Sequence, residues 1–377
     1  MPVFILSNRQ INLTKDDISF TKDNYSLANF RIAKCDFENT PKLSAAEKKN
    51  KNYTNKKVLN YKIYAEPETQ DYQNVLEVLK AEKKLMKSKL TSTNLGGTQK
   101  MFYELYKNMS TAGKKSNDVL IFIHGFAHSF DDELETIHKL KEMYIDNKNS
   151  PIENIIFVSW PSSVTIFPLT YFDDKGASIN AGHSLMRLFY LYIQFLSDVF
   201  SNPDLKPCNQ KIHLMAHSMG NRVLQSMLYS LKKENIKRVI DQVLLLNADV
   251  SFRVFEDSED SFNKLPLLAN RISVYLNKSD DILGLSQFSK NILSPRLGKA
   301  GPTNIEKFKD VLSIIDCTKV KNDLLTSFKF EIGDHWGYLS SSQVQKDILA
   351  NLNGIDQSLI ANRTKVKDYV YSLDSLA

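Results

Sequence analysis

The chain has 377 residues, of which 42% are hydrophobic, 24% charged and 10% aromatic. That is enough apolar material for one large or two modest cored domains, and it excludes a disordered, collagen-like or disulfide-scaffold protein. The formal charge of +6 is uneven: residues 1–115 hold 21 Lys+Arg against 12 Asp+Glu, and the remainder holds 28 against 31. A basic N-terminal third therefore precedes a nearly neutral bulk.

In chain order, Val3–Ser7 and Phe30–Ala33 read as short strands that extend a sheet formed later. Residues 42–62 are rich in Lys and Asn without apolar periodicity, which predicts a solvated loop or insertion. Val75–Leu90 reads as a Lys-rich helix, and Phe102, Leu105, Tyr106 and Met109 form one helical face. From about residue 117, apolar runs recur at Val119–Ile123, Ile155–Ser159, Ile212–Met215, Val243–Leu246 and Ile272–Leu276, with a later candidate strand at Phe328–Ile332. Continuous apolar runs are the mark of strands covered on both faces.

Helical stripes lie between them. Ser129 and Asp132 form a capping pair ahead of Leu134, Ile137, Leu140 and Tyr144; a second stripe is Val223, Leu224, Met227, Leu228 and Leu231. A third, Val344, Ile348 and Leu352, follows a capping box from Ser340 to Gln343. Leu185–Phe200 is apolar but holds Arg187, Gln194 and Asp198, so it reads as a buried or half-buried helix rather than a membrane span. The alternation predicts an α/β fold, a mostly parallel central sheet with helices on both faces.

No repeat or linker marks a boundary. One domain over 1–377 is expected: N-terminal strands with the basic insertion in 1–115, a catalytic core in 116–355 and a C-terminal extension in 356–377. Cys35, Cys208 and Cys317 are odd in number and widely spaced, which argues against a disulfide framework or a Cys-rich zinc site. The apolar start is too short and too early for a signal peptide, and a cytoplasmic location is expected.

The chemistry concentrates at Ile212-His213-Leu214-Met215-Ala216-His217-Ser218-Met219-Gly220-Asn221. A strand ends, a serine follows between small residues, and a helix begins, as in a G-x-S-x-G nucleophile elbow with Ala216 in the first glycine's place. Ser218 is thus a candidate nucleophile, set against the simpler role of capping a helix. A hydroxyl needs a base, and His335, in a turn-rich segment after the late strands, has the right place in chain order. The acid belongs on a loop after a late strand. Asp280 and Asp281 follow Ile272–Leu276, and Asp249 after Val243–Leu246 is the rival. Two backbone N–H groups would form the oxyanion hole, from Met219 and from Phe126 in His124-Gly125-Phe126-Ala127. His213 and His217 are four apart across a strand end rather than along a helix, which argues against a metal site. No cofactor is expected.

With these pieces in order, the sequence resembles the α/β-hydrolase superfamily, and within it a branch of bacterial serine hydrolases of unknown function. The matching segments are Val3–Arg9, Val119–Phe130, Phe157–Ser162, Ala216–Leu224, Asn247–Phe255, Ser279–Ser286, and His335 with Tyr338. The resemblance implies a Ser218–Asp280–His335 triad, placing the acid at Asp280 rather than Asp281, and puts the helix at Phe102–Met109 in the catalytic domain. It departs where the family commonly has two Asn after the His-Gly-aromatic step and this chain has Ala127 and His128, and in the length of the Lys/Asn-rich stretch.

The expected reaction is acyl transfer to water from a small-molecule or lipid ester. The aromatic-rich run Val164–Phe172 is a candidate acyl wall or lid. A peptidase or amidase would use the same residues. A non-catalytic interaction protein on a hydrolase fold is the other alternative, its basic N-terminal region touching an acidic partner or a membrane. The sequence lacks a P-loop, zinc finger or RNA-binding aromatic signature, which argues against nucleic acid.

Overall fold

The computed structural model describes residues 2–14, 18–21, 26–38, 59–66, 71–111, 116–162, 171–205, 210–233, 236–288, 294–324 and 333–373. Among them, the N-terminal strands are β1 (Val3–Arg9), β2 (Ile11–Leu13), β3 (Ile18–Phe20), β4 (Ser26–Asp36) and β5 (Asn60–Ile63). The central strands are β6 (Asp118–Ile123), β7 (Ile152–Ser159), β8 (Ile212–His217), β9 (Ile240–Leu246), β10 (Ala269–Leu276) and β11 (Leu312–Asp316); a hairpin of β12 (Arg363–Lys367) and β13 (Val370–Leu373) ends the series. One sheet runs in the order β12-β13-β11-β10-β9-β8-β6-β7-β1-β4-β5, and β2 and β3 pair separately. From β13 to β1 every neighbouring pair is parallel; β4, β5 and β12 are antiparallel additions at the two edges.

The central strands are parallel because helices return the chain across the sheet between them, and they are apolar throughout because both faces are covered. One face carries α1 (Gln73–Lys83), α2 (Gly97–Met109), α4 (Tyr171–Ser201) and α5 (Gly220–Ser230), packed through Val75, Phe102, Phe195 and Leu224. The other carries α3 (Phe130–Leu140) and α7 (Ser342–Leu352), through Leu134 and Ile348. A further helix, α6 (Asp281–Phe288), follows β10 directly. No helix among the described residues is long and apolar enough to cross a membrane.

The five central runs and the strands at Val3–Ser7 and Phe30–Ala33 all join this sheet as the sequence predicts. The Ser129–Asp132 capping box forms at the start of α3: Ser129 Oγ accepts from the Asp132 N–H at 3.2 Å, and Asp132 Oδ2 accepts from the Ser129 N–H at 3.0 Å.

Three expectations change. Residues 42–58 of the Lys/Asn-rich stretch lie outside the described residues, but its end is not a loop. Asn60–Ile63 alternates exposed with half-buried positions and pairs with β4 as an edge strand. Helix α1 stops at Lys83 rather than near Leu90, because Leu85 turns left-handed (φ 52°). The capping box at Ser340 and Gln343 is absent: Ser340 Oγ donates to Asn322 Oδ1 and Trp336 O. Asp323, reaching in from a loop, caps α7 instead by accepting from Ser342 N at 2.8 Å. The candidate strand Phe328–Ile332 and residues 164–170 of the aromatic run lie outside the described residues.

Candidate active site

Ser218 stands at the carboxyl edge of the sheet, where β8 gives way to α5. Its φ is 49°, a left-handed conformation that a non-glycine residue adopts at a cost of roughly 1–2 kcal/mol. Backbone bonds hold it there. Ser218 N donates to Leu246 O at 3.0 Å, and Ser218 O accepts from Asn221 N and from Asp249 N, both at 3.1 Å. The turn is packed so closely that two nearby glycines have no room for a side chain. A Cβ on Gly220 would lie 2.5 Å from Ile123 O, and one on Gly125 would lie 2.9 Å from Ser218 Cβ. Gly125 therefore lets the loop after β6 come up against the serine itself.

His335 and Asp280 meet although 55 residues separate them: His335 Nδ1 lies 2.7 Å from Asp280 Oδ2. A carboxylate can only accept, so Nδ1 carries the proton and Nε2 is left as the basic nitrogen. Asp280 also accepts from Asn247 Nδ2 at 2.8 Å and from Leu283 N at 2.9 Å. Burial alone would raise its pKa; the charge of His335 and these hydrogen bonds outweigh burial and hold it below the usual carboxylate value. Asp280 is thus an ionised acceptor in a dry setting.

The rival carboxylates are elsewhere engaged. Asp249 Oδ1 accepts from Ser286 Oγ at 2.9 Å and faces Arg296 Nε at 3.2 Å, with Arg222 Nε 3.6 Å from its other oxygen. Asp281 is exposed at the first turn of α6.

His217, the last residue of β8, ties that strand to His335. Its Nε2 lies 3.0 Å from His335 O, and the two rings are 4.8 Å apart. Burial, followed by the charge of His335, pushes its pKa well below the ordinary histidine value, so a neutral Nε2–H donates to that carbonyl. Among the described residues no hydrogen bond joins the Ser218 hydroxyl to the His335 ring; in unliganded hydrolytic sites this contact is commonly long. His213 pairs instead with Asp118 at 3.3 Å. Four residues along a strand span roughly 13 Å, too far for His213 and His217 to share an ion. Among the described residues no group of three or more His, Cys, Asp or Glu could hold a metal.

The loop His124–His128 is clamped from behind. Trp160 N donates to His124 Nε2 at 3.0 Å and Trp160 Nε1 donates to His124 O at 2.9 Å. Ser162 Oγ donates to His128 O at 3.0 Å. Arg9 Nη2, wholly buried, reaches Glu133 Oε1 at 2.6 Å and the carbonyls of His128 and Trp160 at 3.3 and 3.2 Å. Phe126 is half-buried at the front of this loop, Met219 is buried as the N-cap of α5, and Ala127 is left-handed at φ 60°. Asn tolerates that conformation better than Ala does. His128 stacks 5.0 Å from Trp336, the residue after His335.

Residues 103–351 match the family model described as alpha/beta hydrolase of unknown function (DUF900). The chain belongs to this family of α/β-hydrolases. The hydrolase is also 25% identical over 168 residues to a peptidyl-tRNA hydrolase of Mycoplasmopsis pulmonis (strain UAB CTIP), a match covering 41% of this chain and 89% of that protein. No solved structure matches it.

Sequence reasoning missed Asn247 as a partner of Asp280 and the buried Arg9–Glu133 pair behind the hydrolase's loop. The Ser-Asn-Arg ending of β1 was the available signal for Arg9, since a strand that buries all seven of its residues leaves a terminal arginine needing a partner.

Proposed function

We propose that the hydrolase cleaves an ester, from a small molecule or a lipid, through a serine acyl-enzyme. Ser218 Oγ attacks the acyl carbon while His335 Nε2 takes its proton. His335 then returns the proton to the leaving alkoxide, and water repeats the sequence in reverse to release the acid. Asp280 keeps the imidazole in the tautomer with Nε2 free and stabilises the imidazolium. The N–H groups of Met219 and Phe126 receive the negative charge that develops on the carbonyl oxygen. The observation that carries this reading is the 2.7 Å bond between His335 Nδ1 and a buried, ionised Asp280, beside a serine forced into a left-handed turn.

Membership of a hydrolase family supports the reaction type, and the likeness to a protein named for hydrolysing peptidyl-tRNA agrees with it without adding a substrate at 25% identity. A fluorophosphonate probe is expected to label the native protein and not Ser218→Ala. Equal labelling of both, or none of the native protein, sinks the proposal. A chain-length series of acyl esters beside the matching amides then decides between lipid and short esters, and between ester and amide.

A further inference from the structure

Helix α1 ends in a way that the hydrolytic site does not explain. Met86 N donates to Ala81 O at 3.0 Å and Leu85 N donates to Glu82 O at 3.3 Å, the pair of bonds that closes a Schellman ending. That ending needs one left-handed residue, normally glycine. Here it is Leu85, at φ 52°. Among the described residues no packing repays the strain: Leu85 is 94% exposed and its neighbour Met86 62%. A local rule broken with no internal contact in return points to a contact outside the chain.

The surroundings say what kind. Lys80, Lys83, Lys84, Lys87 and Lys89 flank the pair, and residues 80–90 contain no arginine and no aromatic residue. Glu82 is engaged by Lys107 at 3.1 Å, and Lys84 by Asp204 at 2.6 Å. Lys83, Lys87 and Lys89 are exposed and make no ion pair among the described residues. Asp204 is held below its ordinary pKa first by its bond to Lys84, then also by the charges of Lys83 and Lys80, so these ammonium groups act on one place.

From this we infer that the turn at Lys83–Lys87 docks the enzyme on an anionic membrane surface, with Leu85 and Met86 entering the headgroup–acyl boundary and the lysines meeting lipid headgroups. A fluid anionic surface suits two apolar side chains in a diffuse cationic ring. A specific acidic protein would need roughly 800 Å² of matched surface. Single-stranded RNA would call for stacking rings, which the turn lacks. The inference does not depend on the Ser218 reaction.

The test is co-sedimentation of the full chain with phosphatidylcholine vesicles, with and without about 30% phosphatidylserine. Native protein is expected to bind only the anionic vesicles, and less at high salt. Leu85→Gly, which suits the turn, is expected to melt at the native temperature or above it and yet to bind about tenfold more weakly. Lys83→Glu with Lys87→Glu is expected to abolish binding. Indifference to phosphatidylserine, native-like binding by Leu85→Gly, or a preference for single-stranded RNA over the vesicles at equal salt would each overturn the inference. Fluorophosphonate labelling of Leu85→Gly at the native rate keeps this result separate from the fate of the Ser218 proposal.

Discussion

Asp280, just beyond β10, and Asp347, within α7, are both completely buried, yet their surroundings differ in kind. Asp347 faces a guanidinium fork: Arg363 Nε and Nη2 lie 2.6 and 2.7 Å from its two oxygens, and Tyr275 and Asn351 add donors at 2.6 and 3.2 Å. The planar guanidinium matches the carboxylate at both oxygens, and Asp347 serves as a staple that joins α7 to β10 and to the C-terminal hairpin. Asp280 faces an amide side chain, a backbone N–H and an imidazole. Its ring partner is an imidazole in place of a guanidinium fork. The same buried anion serves as a strut in one place and orients a histidine ring in the other.

That contrast can be broken by substitution. Asp280→Asn is expected to lower activity about 10⁴-fold, by reversing the tautomer of His335, while leaving the melting temperature nearly native. Asp249→Asn should instead cost stability, since it leaves Arg222 and Arg296 short of a counter-charge; the comparison fails if Asp249→Asn loses activity and Asp280→Asn keeps it. Arg363→Ala strands Asp347 and is expected to cost about 3–5 kcal/mol in denaturant unfolding. Fluorophosphonate labelling at low temperature should remain native in that variant.

Acid probes a third buried group, His128, beside the candidate site. Burial, then the charge of His124, lowers the pKa of His128 from 6.5 to about 3. The unfolded chain therefore takes up this proton near pH 6.5 and the folded chain only near 3. The stability is complete above 6.5 and falls as pH drops toward 3, by a few kcal/mol in all. Melting curves between pH 7 and pH 4 should show this fall, and His128→Phe, which keeps the stack on Trp336, should flatten it. Ala127→Asn carries the smallest effect, a gain of about 0.5–1 kcal/mol from relieving the left-handed alanine; a loss in thermal melts would place the strain elsewhere.

The sequence made the central strands legible because burial on both faces forces continuous apolar runs such as Leu244-Leu245-Leu246. It left β12 illegible, because Arg363-Thr364-Lys365-Val366-Lys367 lies on an edge where lysines suit exposure. Ser218 could be read locally, since elbow geometry demands small neighbours within a few residues. Choosing among Asp249, Asp280 and Asp281 could not rest on spacing. All three follow strand ends, and the outcome depends on arginines and an asparagine that meet them only in three dimensions.

The first strand carries a consequence for biosynthesis. β1 lies between β4, close in sequence, and β7, which is far: Ser7 Oγ and Ser159 Oγ are 3.1 Å apart across 152 residues. At 5–20 residues per second, a ribosome needs roughly ten to thirty seconds to deliver β7 after β1. Through that interval Val-Phe-Ile-Leu has antiparallel cover on one side and an open edge on the other. Protection of that edge during synthesis is therefore expected to raise the yield of folded protein.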